Sequence, residues 1–600
     1  MTLSRLIAAA LALMLTASLG RAAQPNFADI QTVVVIYMEN RSFDNLYGTF
    51  PGANGLSRAP RTAFLQKDRD GSLLPGLPPI WGGIAKSVMS GAPTAPFSGG
   101  LTEAATRAYL GQFNHPYAVG SLYTNRQSGS PDNASALRYT NRDLWHKFYQ
   151  NQMQIDGGRN DMFAAWADSG GMTMGYFPQH DGDLPLWNWA HRYVLADNFF
   201  QAAFGGSYLN HQFLICACAP IIPDNGANPP QPFNPWTGQT TKYNSDGVTA
   251  APDSTAPAPS VVRMDGPWLQ TKNNDSALKA PPAFVNDSVI TPFVTINGVG
   301  HFYSVNTSQA PFPPSVNALK TNPPQQKVDH TKPTTVYPQT QATIGDLLTR
   351  RGIDWAYYSG AWHFALTHAA FAAGSSPANP NFQYHHQPFN YFERFDPDRP
   401  AGSDGFGHAS SDPIYARSGA AEREQHLRDA GVTDPEELSS SHPFPPDADS
   451  RFMDDLHHGR LPPVTFYKPH GTINAHSGYA NVTDGDRAAA AILTELTKSP
   501  QWKHMLVIVT YDEFGGWWDH VAPPKGDYFG PGTRIPALII SPYARRGVID
   551  HTQYDTDSIL RFIIRKYRLP TLPGIALRDK ALAANHQKPM GDLTNALNLR

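Results

Sequence analysis

The segment Val33-Val34-Val35-Ile36-Tyr37-Met38-Glu39-Asn40-Arg41-Ser42-Phe43-Asp44 passes abruptly from unbroken apolar character to charge. A second segment of the same design, Leu506-Val507-Ile508-Val509-Thr510-Tyr511-Asp512-Glu513-Phe514-Gly515-Gly516, lies near the other end of the chain. Short β-branched runs of this kind read as strands buried on both faces, in the middle of a parallel sheet. An open α/β sheet places its ligand site just beyond the carboxyl ends of such strands. As neighbours, the two strands bring the carboxylates of Glu39, Asp512 and Glu513 and the carboxamide of Asn40 to one spot. Like charges packed so closely are costly unless a cation binds between them. A hard metal ion is therefore the first expectation.

Outward from these two segments, strand and helix patterns alternate. Thr343 to Leu348 reads as a helix start, and Trp355-Ala356-Tyr357-Tyr358 and Val464-Thr465-Phe466-Tyr467 as strands. Asp486 to Thr497 reads as an amphipathic helix, Ile535 to Ile540 as a strand and Asp557 to Tyr567 as a final helix. Such alternation argues for an α/β fold with a mostly parallel central sheet flanked by helices. Between about Ala219 and Gln341 the chain becomes rich in Pro, Asn, Thr and Ser, with weak periodicity apart from Phe293-Val294-Thr295-Ile296. There are 54 prolines in 600 residues, well above the usual share of about 5%, and many lie here. The stretch reads as a loop-rich insertion held by Trp236, Trp268, Phe284 and Phe302. Residues 23–600 then form a single catalytic domain carrying that insertion.

Residues 1–22 read as a secretory signal peptide. Arg5 supplies the positive end, Leu6 to Leu15 the apolar stretch and Gly20-Arg21-Ala22 a small-x-small cleavage site. The apolar run is short for a membrane span, and no paired arginine marks a twin-arginine route. An exported chain, periplasmic or secreted, without stable membrane insertion is expected. The net charge of −3 gives no electrostatic reason to expect nucleic acid. The two cysteines, Cys216 and Cys218, allow at most one strained local bridge and read as small buried hydrophobes.

A third element lies between the acidic pairs: Phe204-Gly205-Gly206-Ser207-Tyr208-Leu209-Asn210-His211. Two glycines before a serine allow a tight turn that exposes Ser207 at the start of a helix, where free N–H groups face a bound anion. Ser207 is either an N-cap or a nucleophile, and this segment alone does not separate the two. His211, one helical turn on, points at the same spot or serves a structural role. His146, the pair His385-His386, and His476 sit in loops near strand ends. Each is either structural or a donor to phosphate, and one of them suits a general acid. His520, beside Trp517 and Trp518, reads as structural.

Glu39-Asn40-Arg41-Ser42-Phe43-Asp44 followed by Gly48, with Asp512-Glu513-Phe514-Gly515-Gly516 and Trp518-Asp519-His520-Val521, resembles the bacterial phosphoesterase family of acid phosphatases and phospholipases C. That family belongs to the alkaline-phosphatase-like superfamily, and the resemblance runs from about Thr32 to Tyr567. It implies one divalent metal ion held by Glu39, Asn40, Asp512 and Glu513, with the nucleophile, matching Ser207, completing the shell. Phospholipases C of the family carry threonine in a Gly-Pro-Thr-like turn where this chain has Gly-Gly-Ser, a departure toward the acid phosphatase branch. His146, His385, His386 and His476 match histidines lining that branch's phosphate pocket; Asn40 and, from its place one turn after Ser207, His211 are the candidates for further substrate contact.

The reading that follows is an exported, metal-dependent phosphoric-ester hydrolase acting through a phosphoserine, most simply an acid phosphatase on monoesters. His476 is the first choice for leaving-group acid, and imidazolium groups favour an acidic optimum. Oxygen ligands favour Ca²⁺, Mg²⁺ or Mn²⁺ over Zn²⁺. A phospholipase C releasing phosphorylated headgroups is the alternative within phosphate chemistry. A sulfatase fits poorly, because no Cys/Ser-x-Pro-x-Arg motif surrounds Ser207. An exported binding protein with a structural metal is the alternative of another class, though such sites usually draw their ligands from one loop.

Overall fold

The stretch Thr32–Met38 (β1) is buried along its whole length. Full burial follows from its position in the middle of a seven-stranded sheet. The other strands are Val194–Ala196 (β2), Trp355–Ser359 (β3), Val464–Lys468 (β4), Met505–Tyr511 (β5), Ala537–Ile540 (β6) and Val548–Asp550 (β7). Their spatial order is β7-β2-β6-β5-β1-β4-β3. In this computed structural model the described residues are 26–81, 102–123, 131–178, 184–222, 276–282, 291, 294–312, 336–361, 381–395 and 450–599. The expected signal peptide, and Trp236, Trp268, Phe284 and Phe293, lie outside them.

β1 pairs in parallel with β5 on one side and β4 on the other, and β4 with β3. The register sets Met38 beside Tyr511, so the acidic pairs that follow emerge at the same level. β6 runs antiparallel to both β5 and β2, and β7 is parallel to β2. The sheet is thus mostly parallel, with one reversed strand. Sequence pattern placed that strand over Ile535–Ile540, but it begins at Ala537. Pro536 has no N–H for a ladder, and Arg534 instead bridges to Phe200.

Helices flank the sheet: Phe43–Tyr47 (α1), Pro185–Arg192 (α2), Ser207–Cys216 (α3), Ile344–Arg350 (α4), Val482–Lys498 (α5) and Asp557–Tyr567 (α6). α4 opens on a reciprocal capping box between Thr343 and Asp346. α5 starts four residues earlier than its apolar period suggests, because the Asn481 side chain caps the Asp484 N–H. α5 packs on α2, and α6 on α3.

In the Pro-rich insertion, Ile221–Ile222, Val294–Ile296 and Val299–Tyr303 make a three-stranded antiparallel sheet in which Val299–Tyr303 is central. Phe302, in the central strand, is buried. The cysteines correct the sequence reading. They are joined in a Cys216–Cys218 disulfide. α3 ends at Cys216, and Ala217 turns back with φ of 51°, leaving the two Cα atoms 5.1 Å apart, within disulfide range.

Candidate active site

The carboxyl ends of β1, β5 and β4 supply most of the site. The Asp512 N–H donates to Met38 C=O at 3.1 Å, and the Glu39 N–H to Asn474 C=O at 2.9 Å. Asn40 takes a left-handed conformation, φ 60°, which asparagine tolerates better than most residues. In that pose its N–H donates to Asp512 Oδ1 at 3.1 Å. The chain can turn there only because Gly515 (φ 63°) lies opposite: a Cβ at Gly515 would sit 2.3 Å from the Asn40 carbonyl oxygen. The Glu513 side chain is fixed in turn by the Gly515 N–H at 2.5 Å.

Ser207 is the first residue of α3, and Gly206 occupies the N-cap position. Its side chain is therefore free of capping duty. Ser207 Oγ lies 3.2 Å from Asn40 Oδ1 and 3.3 Å from Glu513 Oε1. Gly205 (φ 82°) is required in the turn, since a Cβ there would meet the Phe148 nitrogen at 2.5 Å. His211 Nδ1 contacts the Ser207 carbonyl oxygen at 2.8 Å and lies 3.7 Å from Asp512 Oδ2. Its Nε2 is buried without a hydrogen-bond partner.

Of the groups around Glu39, sequence reasoning singled out His386 but missed Lys468, Asn474 and Tyr479. Lys468, the last residue of β4 and fully buried, places Nζ 2.8 Å from Glu39 Oε1. His386 Nε2 approaches the same oxygen at 2.6 Å. Asn474 Nδ2 and Tyr479 OH donate to Oε2 at 2.8 and 2.7 Å. A lysine closing an apolar strand was the signal available, because burial there demands a partner. Arg41 was missed as well. Its Nε and Nη2 donate to the Ala475 carbonyl at 3.0 and 2.9 Å, tying the loop after β1 to the loop carrying His476.

The remaining sequence-selected histidines divide into two places. His146 Nε2 lies 3.4 Å from Asn40 Nδ2 and 3.6 Å from Glu513 Oε1. His476 stacks on Tyr479 with ring centroids 4.3 Å apart and meets His146 edge-on at 5.9 Å. His146 thus touches both partners of Ser207, and His476 backs His146. His385 and His386 diverge, their rings nearly perpendicular at 5.0 Å. His386 turns to Glu39, while His385 packs against His211 at 5.2 Å. His520 holds Asp44 Oδ2 at 2.6 Å, and Arg534 bridges Asp44 and Asp519 at 3.0 and 2.9 Å. That buried network fits the structural role read from the sequence.

Charge decides what the site accepts. Burial by itself raises Glu39, but His386 and Lys468 outweigh it and hold the carboxyl well below its usual range. For Asp512 the balance tips the other way: burial, then the charge of Glu39, outweigh Lys468 and the hydrogen bonds to it and push it up to about 8. Burial and then Asp512 raise Glu513 well above the carboxylate range. Asp512 Oδ2 is fully buried and has no hydrogen-bond donor. Two buried carboxylates in this state, beside the oxygens of Asn40 and Ser207, fit a hard divalent cation. Ligand atoms of Glu39, His211 and Asp512 lie within 4.8 Å of one another. Burial lowers His146, His385, His386 and His476, so each takes up a proton only on the acid side of the usual histidine value.

Similar proteins share parts of this chain. The phospholipase C B of Mycobacterium tuberculosis is 30% identical over 172 residues, covering 24% of this chain and 31% of that protein. The non-hemolytic phospholipase C of Pseudomonas aeruginosa is 26% identical over 170 residues, 23% of each chain. The chain thus spans less than a third of the length of these curated relatives. A solved protein of the alkaline phosphatase superfamily from Vibrio parahaemolyticus aligns with 42% of this chain and 51% of its own, at 14% identity and a TM-score of 0.19. That score is too low to bear on the fold, which rests on the strand order above. One family model spans residues 30–570, from the residue before β1's neighbour Gln31 to beyond α6. With its motifs at the ends of β1 and β5 and its serine at the start of α3, the chain belongs to the phosphoesterase family.

Proposed function

We propose that this protein is a metal-dependent phosphoric-ester hydrolase that forms a phosphoserine on Ser207, and that its substrates are phosphate monoesters. The observation that carries the reading is the placement of Ser207 Oγ at a helix N-terminus, 3.2 Å from Asn40 Oδ1 and 3.3 Å from Glu513 Oε1. Glu39, Asn40, Asp512, Glu513 and Ser207 would hold the ion, with His211 alongside. A bound divalent cation would neutralise charge on the phosphoryl oxygens and acidify the serine hydroxyl.

The chain's own groups do the rest. Asn40 and Glu513 orient the hydroxyl, and free N–H groups at the start of α3 face the incoming phosphate. With its hydroxyl proton released to water, Ser207 Oγ bonds to phosphorus as the bond from phosphorus to the ester oxygen breaks, and that oxygen takes a proton from His476. Water then attacks phosphorus from the side that the alcohol left and gives a proton back to His476, and the P–Oγ bond breaks to release phosphate and a Ser207 that regains its proton from solvent. His476 is protonated only on the acid side, which suits an acidic working range. Lys468 keeps Glu39 ionised, whatever occupies the centre.

A phospholipase C is the second reading, favoured by the names of the curated relatives. Export from the cell is part of the proposal, on the strength of residues 1–22. No helix among the described residues is long and apolar enough to cross a membrane. The deciding assay compares an aryl phosphate monoester, an aryl phosphate diester and phosphatidylcholine, before and after chelation, with metals restored singly. Preference for the monoester supports the acid phosphatase reading, and preference for phosphatidylcholine supports the phospholipase. Turnover unaffected by exhaustive chelation refutes the metal-dependent mechanism.

A further inference from the structure

Gln201 has a fully buried side chain and is not itself among the candidate ligands or catalytic groups named above. It follows the short strand Phe199–Phe200, and its backbone is fixed on both sides. Its N–H donates to Thr533 C=O at 3.1 Å, and its C=O accepts from the Gly532 N–H at 3.0 Å. Its carboxamide then joins two parts of the site that are remote in sequence. Nε2 donates to the carbonyls of Ala203 and Gly205 at 2.7 and 3.0 Å, within the turn that presents Ser207. Oε1 accepts the N–H of Phe514 at 2.9 Å, the residue directly after Glu513. The Asn210 side chain also secures the turn, through Ala203, Gly205 and Gly206, but it does not reach the Asp512-Glu513 loop. Space is reserved for the carboxamide: a Cβ on Gly532 would lie 2.6 Å from Nε2.

We infer that Gln201 is a positioning residue, a buried carboxamide strut that fixes the spacing between the Ser207 turn and the Asp512-Glu513 loop. The inference rests on the proposed roles of Ser207 and Glu513. Only a carboxamide offers donors to two carbonyls and an acceptor to an N–H at this reach. Polar groups that orient a metal site without touching the ion typically control 10- to 100-fold in affinity or activity, in order of magnitude. A displacement of about 1 Å costs a comparable factor in rate.

The test uses full-length protein carrying Gln201→Met, of similar volume but without either hydrogen-bonding function, and Gln201→Glu. For Q201M, kcat on an aryl phosphate monoester should fall about 10- to 100-fold with KM little changed, and Mn²⁺ affinity by calorimetry should fall by a similar factor. A folded Q201M, judged by its thermal midpoint, with wild-type kcat and wild-type Mn²⁺ affinity overturns the inference. Should Q201M not fold, Q201E decides. Its carboxyl faces two carbonyls and can donate only when protonated, so its kcat relative to wild type should rise as pH falls. A pH-independent ratio overturns the inference. Wild-type protein inactive on every phosphate ester, yet losing Mn²⁺ affinity in Q201M, would overturn the hydrolase reading and leave the strut standing.

Discussion

Asp486 offers a direct measurement of how burial acts in this fold. It lies in the second turn of α5 and is 2% exposed. Its Oδ1 accepts the Leu186 N–H at 2.9 Å, so a side chain from α5 caps the start of α2, where Leu184 offers no side-chain cap. Burial, only partly offset by that hydrogen bond, pushes its carboxyl up to about 7 from 3.8. The native state therefore holds a proton that the unfolded chain releases near pH 4. Between about pH 4 and 7 the folded protein binds more protons than the unfolded one, so stability falls as pH rises through that window. About three pKa units, at 1.36 kcal/mol each, set the loss at about 4 kcal/mol. Asp486→Asn keeps the acceptor for Leu186 and cannot ionise. At pH 4 the variant should match the wild type. By pH 8 it should be more stable by up to about 4 kcal/mol, in order of magnitude. Urea denaturation of both proteins at half-unit pH steps measures the difference directly and cancels every other titrating group. A difference that stays constant from pH 4 to 8 would refute the reasoning, because it would mean that Asp486 ionises alike in both states.

Three further outcomes follow from the site. Ser207→Ala should lower kcat by about 10⁴-fold or more, the scale on which nucleophiles are lost; near-normal turnover measured at saturating substrate removes Ser207 from its role. Lys468→Met leaves Glu39 buried beside fewer cations, so denaturation in the presence of a chelator should show about 3–5 kcal/mol of destabilisation. A loss below 1 kcal/mol would show that Glu39 does not depend on the lysine. Gly515→Ala combines a φ of 63° with a Cβ 2.3 Å from the Asn40 carbonyl. It should cut kcat while leaving the far-ultraviolet circular dichroism unchanged, and wild-type kinetics would show that Asn40 tolerates displacement.

Much of this architecture was legible because its signals are local. β1 and β5 are apolar throughout since both faces are covered, and such runs can be recognised without knowing their neighbours. The acidic residues after them were legible for the same reason: charge directly after a buried strand marks the strand's end, where sheets of this class carry their sites. α4 announced itself by Thr343 and Asp346, which cap each other within one turn. Where the reading slipped, the deciding contact was not local. The start of β6 depends on what lies opposite Arg534, and the Cys216–Cys218 bridge depends on the left-handed turn at Ala217.

By itself the sequence determined the α/β class, the two central strands and the kinds of atom offered at their ends, because periodicity and composition are properties of a contiguous segment. It left Ser207 open between a cap and a nucleophile, and it did not mark Lys468, Tyr479 or Gln201. The surroundings of these residues belong to the tertiary structure, which alone sets distances between residues hundreds of positions apart. A lysine at the end of β4 becomes the partner of Glu39 only once β4 lies beside β1. A serine hydroxyl becomes part of an acidic centre only when α3 starts within hydrogen-bond reach of Asn40 and Glu513. The physical reason is that burial and electrostatic coupling depend on separation in space, and chain position fixes that separation only after folding.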